Sequence, residues 1–96
     1  MTDLQATLHR EFGARVRQRR GGLEMTQTRL ARMIGTTPNH MGDLECGRSM
    51  PTPYNLVRLA IALDTNVEWL LALDVLDSQF RREMGCAAET DNSAGY

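Results

Sequence analysis

Between Thr26 and Gly47 the chain reads TQTRLARMIGTTPNHMGDLECG, a stretch with the punctuation of two short helices and a tight turn. Thr26 is placed to cap the first helix with its hydroxyl, after which Leu30, Met33 and Ile34 recur at helical spacing on one side. Gly35 ends that helix, because a left-handed residue is easiest there. Thr37 is placed to cap a second helix, and Pro38 suits its first position, where the N–H that proline lacks would go unpaired anyway. Met41 and Leu44 form the apolar side of this second helix, and the small Ala31 lets the two helices cross closely. The opposite side carries Asn39, His40, Gly42 and Asp43, none of which is needed for packing.

Two short helices crossing steeply at such a turn have the geometry of a helix-turn-helix. Working outward, Leu4, Leu8, Phe12 and Val16 lie four apart and predict a first helix from about Asp3 to Arg20, capped by Thr2 or Asp3. Gly13 inside it costs helix propensity and implies close approach of another helix. Gly21-Gly22 ends it, and Leu23 is expected to turn inward. Thr52 and Pro53 start a fourth helix that runs to about Leu63, with Leu56, Leu59, Ala60 and Leu63 in the core. Asp64-Thr65-Asn66 recaps the chain for a fifth helix, Val67 to Leu73, with Trp69 and Leu70 inward. Leu73, Leu76, Phe80 and Met84 then form a stripe in an otherwise polar segment, and a domain already closed by five helices has little room for it. A subunit interface is the preferred reading of that stripe, and packing back onto its own domain is the alternative. From Gly85 to Tyr96, GCAAETDNSAGY, the apolar period disappears and disorder is expected.

The formal net charge of the 96 residues is −1, but the charges are segregated. Residues 10 to 58 hold nine Arg against four acidic residues, a balance of +5, whereas residues 59 to 96 hold two Arg against seven, a balance of −5. An anionic partner for the first half follows. The two cysteines, Cys46 and Cys86, stand without a Cys-x-x-Cys pair or a clustered His, which argues against a metal site and for a reduced compartment. His9 and His40 have no nucleophile, paired carboxylate or phosphate loop beside them in the sequence, so no catalysis and no cofactor is expected. No apolar run approaches the roughly 18 residues that a membrane span requires. A soluble, cytoplasmic protein is expected.

The run Thr26-Gln27-x-x-Leu30-Ala31, then Gly35, then Met41-x-x-Leu44-Glu45-x-Gly47, closely resembles the phage-repressor and Cro-like (XRE) helix-turn-helix family. The likeness extends to Phe12-Gly13-x-x-Val16-Arg17-x-x-Arg20 on one side. On the other it takes in Asn55-Leu56-x-x-Leu59-Ala60-x-Ala62-Leu63 and Val67-Glu68-Trp69-Leu70, so that roughly residues 10 to 73 are covered. It implies an all-α, five-helix, lambda-repressor-like domain at 1–73, to which the apolar stripe adds a C-terminal amphipathic helix for dimerisation at 74–84 and the polar composition a disordered tail at 85–96.

The resemblance also implies a sequence-specific transcriptional regulator that binds a palindromic operator in double-stranded DNA as a homodimer. The DNA-contacting set would be Gln27, Thr36, Thr37, Pro38, Asn39, His40, Gly42, Asp43 and Arg48. In it Gln27 and Arg48 meet phosphate, and Asn39 pairs in two places with adenine. Thr37 as a plain cap and His40 as a solvated residue stay open, as do two roles for Asp43, accepting from a cytosine amino group or excluding wrong sequences. Arg15, Arg17 and Arg19 are either a solvated face or phosphate contacts, and Asn55 is a weaker phosphate candidate. Arg20 and Glu45 are implied to form a partly buried structural ion pair. Pro38 and Gly42 depart from the family by supplying no hydrogen-bonding side chain, which shifts weight toward DNA shape. A phage repressor, a restriction-modification controller and an antitoxin whose acidic end wraps a protein partner all fit. A protein-interaction module that has left DNA, with the Leu73–Met84 stripe as its partner surface, is the reading from another class.

Overall fold

Five of the six helices start at a residue whose side chain accepts a hydrogen bond from a main-chain N–H three positions on, which satisfies a donor that the first turn leaves unpaired. A computed structural model of the chain describes residues 2–85. The helices are α1 (Asp3–Gly22), α2 (Gln27–Ile34), α3 (Pro38–Glu45), α4 (Pro53–Ala62), α5 (Val67–Leu70) and α6 (Leu73–Met84), and the described residues contain no strand. Thr2, Thr26, Thr37, Thr52 and Asn66 are the caps, and at Thr2 the Gln5 side chain answers reciprocally. The segment read as a disordered tail lies, apart from Gly85, outside the described residues.

Phe12, Val16, Leu30, Ala31, Ile34, Met41, Leu44, Leu59, Ala60, Leu63 and Leu70 form one core to which the first five helices contribute. α3 packs on both α1 and α2, α4 packs on α2, and α5 closes the end against α1 and α4. Gly13 is where α1 admits α3: a Cβ there would lie 2.5 Å from the Glu45 carbonyl oxygen and 2.6 Å from that of Leu44. The obstacle is main chain, which cannot swing aside.

Several residues take other places than their spacing suggests. α1 runs through Gly21 and Gly22, and Leu23 caps it with its N–H on the Arg19 and Arg20 carbonyls. Leu23 is therefore exposed, and Met25 is the loop residue that packs on the core. Met33 also faces out, because the inward arc of α2 is taken by Leu30, Ala31 and Ile34. Leu56 is partly buried against the core. Leu4 and Leu8 are half-buried, whereas Phe12 and Val16 further along the stripe are fully buried.

Arg15 and Arg19 are not an outward face. Arg15 donates from Nη1 to the Trp69 carbonyl at 2.8 Å, lies 3.2 Å from Asp74 Oδ1, and stacks 5.2 Å from the centre of the Trp69 ring. The same guanidinium holds the Asp74 carboxyl below its ordinary pKa, chiefly through their hydrogen bond. Arg19 donates from Nε to the Leu63 carbonyl at 2.7 Å and from Nη2 to the Asp64 carbonyl at 3.1 Å, closing the C-terminal end of α4.

α5 stops at Leu70 and does not reach Leu73. Ala72, fully buried, takes a left-handed conformation (φ 55°, ψ 43°) and redirects the chain into α6, which then packs on α1 and α5. No residue of α6 is fully buried.

Gly13→Ala tests the closeness of α1 and α3. Overpacking against main chain should cost at least about 2 kcal/mol, read as a lower urea midpoint with unchanged slope.

Candidate nucleic-acid interface

α2 and α3 are joined by Gly35 in the left-handed region (φ 76°), with Thr36 N donating back to the Ala31 carbonyl at 2.9 Å. Thr37 Oγ1 accepts from His40 N at 3.1 Å, so its side chain is spent as the cap of α3. Met41, Leu44 and Glu45 turn inward. Pro38 and Asn39 are exposed, and Thr36, His40, Gly42 and Asp43 are half-buried. Pro38, Asn39, Gly42 and Asp43 thus share the free side of α3, as helical spacing requires. Space around Gly42 is open, since a Cβ there would meet nothing within 4 Å. Its missing side chain is a property of the surface and not a demand of the fold.

Cys46 belongs to the same side and had no sequence signal as a surface residue. It is the exposed C-cap of α3, and its place follows only from where the helix ends. Arg48 projects from the following turn and donates from Nε to Asp43 Oδ1 at 3.0 Å. That hydrogen bond, with smaller contributions from the Cys46 and Asp43 charges, holds the Arg48 guanidinium above its ordinary pKa. Asp43 and Arg48, independent candidates by sequence, are therefore one ion-paired unit.

Behind this surface, Arg20 donates from Nε to Glu45 Oε2 at 2.6 Å and from Nη2 to Oε1 at 3.0 Å, a two-pronged pair in which the Glu45 side chain is only 2% exposed. Arg20 Nη1 also donates to the Met25 carbonyl at 2.8 Å. Its pKa is raised, first by the hydrogen bond to Glu45 and further by that carboxylate's charge, against a burial effect of opposite sign. Gln27 joins them, donating from Nε2 to Glu45 Oε1 at 3.0 Å. One amide hydrogen of Gln27 is thus committed to Glu45, and what remains for an anion is the second amide hydrogen together with the main-chain N–H at the start of α2. Asn55 is half-buried in the first turn of α4.

The sequence matches the helix-turn-helix family model HTH_3 over residues 16–70. The chain belongs to this helix-turn-helix family. Among its relatives is the ImmF control region 10 kDa protein of Bacillus phage phi105, 30% identical over an alignment of 70 residues that covers 71% of this chain and 78% of that protein. Among solved helix-turn-helix structures, the P22 c2 repressor in complex with a synthetic operator is 31% identical, with a TM-score of 0.62 over 64% of this chain and 92% of that one. The restriction-modification controller protein C.AhdI from Aeromonas hydrophila is 31% identical, with a TM-score of 0.60 over the same shares. The clp gene regulator ClgR from Corynebacterium glutamicum is 26% identical, with a TM-score of 0.65 over 79% of this chain and 83% of that one. The family match takes in the whole helix-turn-helix, including Arg20, Gln27, Glu45 and every residue placed on the α3 face. Among the described residues, no helix is long and apolar enough to cross a membrane, and no group of three His, Cys, Asp or Glu could hold a metal ion.

Because Glu45 is buried, Arg20→Met strands its carboxylate and should cost about 3–5 kcal/mol, whereas Arg20→Lys, which keeps the charge, should cost less. Chemical denaturation of the two variants reads the difference. Arg20→Met should also lose affinity for any ligand of α3 in proportion to the fraction unfolded.

Proposed function

We propose that the chain is a sequence-specific DNA-binding transcriptional regulator, a repressor that occupies a palindromic operator as a homodimer. One observation carries the proposal: α3 has a complete apolar underside, an ionic anchor at its C-terminal end, and a free side of Pro38, Asn39, Gly42 and Asp43 that the fold does not use. A helix seated that way is shaped to enter a major groove with its N-terminal residues toward the bases. The P22 c2 repressor, of the same fold, is solved on operator DNA, which supports this reading. Asn39 is the proposed base reader, Thr36 and His40 flank it, Thr37 and Pro38 set its position, and Arg48 and the N-terminus of α2 approach phosphate. The function requires no catalysis and no cofactor, and it places the protein in the cytoplasm with the DNA.

The dimer surface proposed is α6. Leu73, Phe80 and Met84 are about half exposed along one side, while Leu76, half-buried, lies at the edge of that stripe. Two-fold pairing would set the recognition helices one DNA turn, about 34 Å, apart. A second surface competes for the role: Tyr54, Val57 and Ile61 form an apolar stripe on α4, with Ile61 74% exposed. The stripe on α6 could instead receive another protein, as an antitoxin would require.

Selection of bound duplexes from a random library should return a palindrome, and Asn39→Ala should relax it at one base step per half-site by about 1–3 kcal/mol. A selection that returns no motif would remove the DNA-reading function. For the dimer, sedimentation equilibrium should give monomers for Phe80→Glu and dimers for Ile61→Glu. The opposite pattern would move the interface to α4.

A further inference from the structure

Asp43 and Arg48 face each other across the turn that closes α3, and the backbone brings them together whatever their charges. Arg48 N donates to the Asp43 carbonyl at 2.9 Å, and Gly47, between them, adopts a φ of 77°. On this frame the side chains meet at 3.0 Å, with both still open to solvent, Asp43 at 46% and Arg48 at 64% exposure. α3 contains no Lys or Arg, so the formal charge on its free side is that of Asp43, Glu45 being buried beneath. A helix proposed to enter the anionic groove thus carries an acid there and ties the nearest cation to it.

We propose that Asp43 is a specificity-determining residue that works through Arg48: the pair withholds Arg48 from indiscriminate phosphate binding and penalises sites that offer no amino donor to the carboxylate. This rests on the DNA-reading function above and names the groove chemistry of that same face. Opposite charges 3.0 Å apart act on a more distant phosphate almost as a neutral group. On arbitrary duplex DNA, Arg48 therefore adds little attraction, while the carboxylate loses water and faces base acceptors such as guanine O6 and N7. At a cytosine the balance reverses, because its N4 amino group is a major-groove donor that an Asp can accept. The hydrogen bond to Arg48 uses Nε and Oδ1, which leaves Oδ2 for that donor and the two terminal guanidinium nitrogens for a neighbouring phosphate. The pair need not break on the right sequence, and it opposes binding on the wrong one.

Wild type, Asp43→Asn, Arg48→Met and the double variant, each checked by thermal melting, would be titrated across salt onto random-sequence duplex and onto duplex selected by the wild type. Glu83→Gln, near the end of α6, makes the same one-unit charge change away from α3 and serves as the control. Asp43→Asn should bind random duplex about tenfold tighter and steepen the slope of log K against log salt by about 0.9, one additional phosphate contact. Its preference for selected over random duplex should fall by about tenfold, the worth of one good base contact. In the Arg48→Met background the slope should no longer steepen, since no arginine is released to phosphate, and only the smaller gain from removing the carboxylate itself should remain. An unchanged slope and preference in Asp43→Asn, or an equal gain from Glu83→Gln, overturns the proposal. Failure of the wild type to bind any duplex at low salt is a separate result that removes the DNA-reading function, and this proposal with it.

Discussion

The Glu45 carboxylate is the point on which the helix-turn-helix depends. An ionised carboxylate that is 2% exposed is costly unless its oxygens are filled, and here they receive three donors, two from Arg20 and one from Gln27. Those donors come from the end of α1 and the start of α2, so a single buried charge ties three helices at one place. The steric side of the same joint is Gly13, whose missing Cβ lets α1 lie against the carbonyls of Leu44 and Glu45. α3 is thus seated by apolar contact along its length and by charge at its C-terminal end. Its N-terminal residues are held only by the Thr37 cap and the Gly35 turn, which leaves their outer side for another molecule.

This arrangement explains which parts were legible in the sequence. The caps at Thr26, Thr37 and Thr52 were readable because each bond spans three residues. The free side of α3 was readable because Met41 and Leu44 fix the helical phase, and Gly13 was readable as a close approach because a glycine inside a helix costs propensity that packing must offset. The Arg20–Glu45 joint came from family resemblance; spacing alone would have left both residues as surface charges. What escaped were choices made among distant partners. Arg15 and Arg19 look solvated on a helical wheel, yet their hydrogen bonds reach residues 44 to 59 positions away. Leu23 and Met25 compete for one inward place, and the outcome follows from Glu24, whose φ of 56° turns the loop.

The break before α6 was hidden for a related reason. Leu70 to Leu73 is a continuous apolar run, and nothing local tells an observer to stop the helix there. Tertiary packing does, since Leu70 and Ala72 are both fully buried and a straight α5 could not place both against the domain while sending α6 back along α1. Ala72 has the smallest side chain that the left-handed bend and the buried position can both accept short of glycine. Once turned, α6 is fastened mainly by its polar N-terminus, where Arg15 joins the Trp69 carbonyl to Asp74. That fastening leaves the Leu73, Phe80 and Met84 side uncommitted.

The same partnerships revise what the charge pattern means. Nine Arg between residues 10 and 58 suggest a uniformly basic half, but Arg15, Arg20 and Arg48 are paired with Asp74, Glu45 and Asp43. Arg58 is pinned to the Met33 carbonyl, which fixes its position without cancelling its charge, whereas Arg19, held by the Leu63 and Asp64 carbonyls, also lies 3.8 Å from the Asp64 carboxylate. Arg17, Arg29 and Arg32 have no carboxylate within 4.0 Å among the described residues, and they can contribute to the long-range field that steers an anion. A molecule built this way does not need high net charge to find a polyanion. The attraction comes from a few unpaired arginines around the helix-turn-helix, while the helix that would enter the groove is kept electrically lean, so that base contacts weigh more against phosphate contacts in deciding where the protein stays.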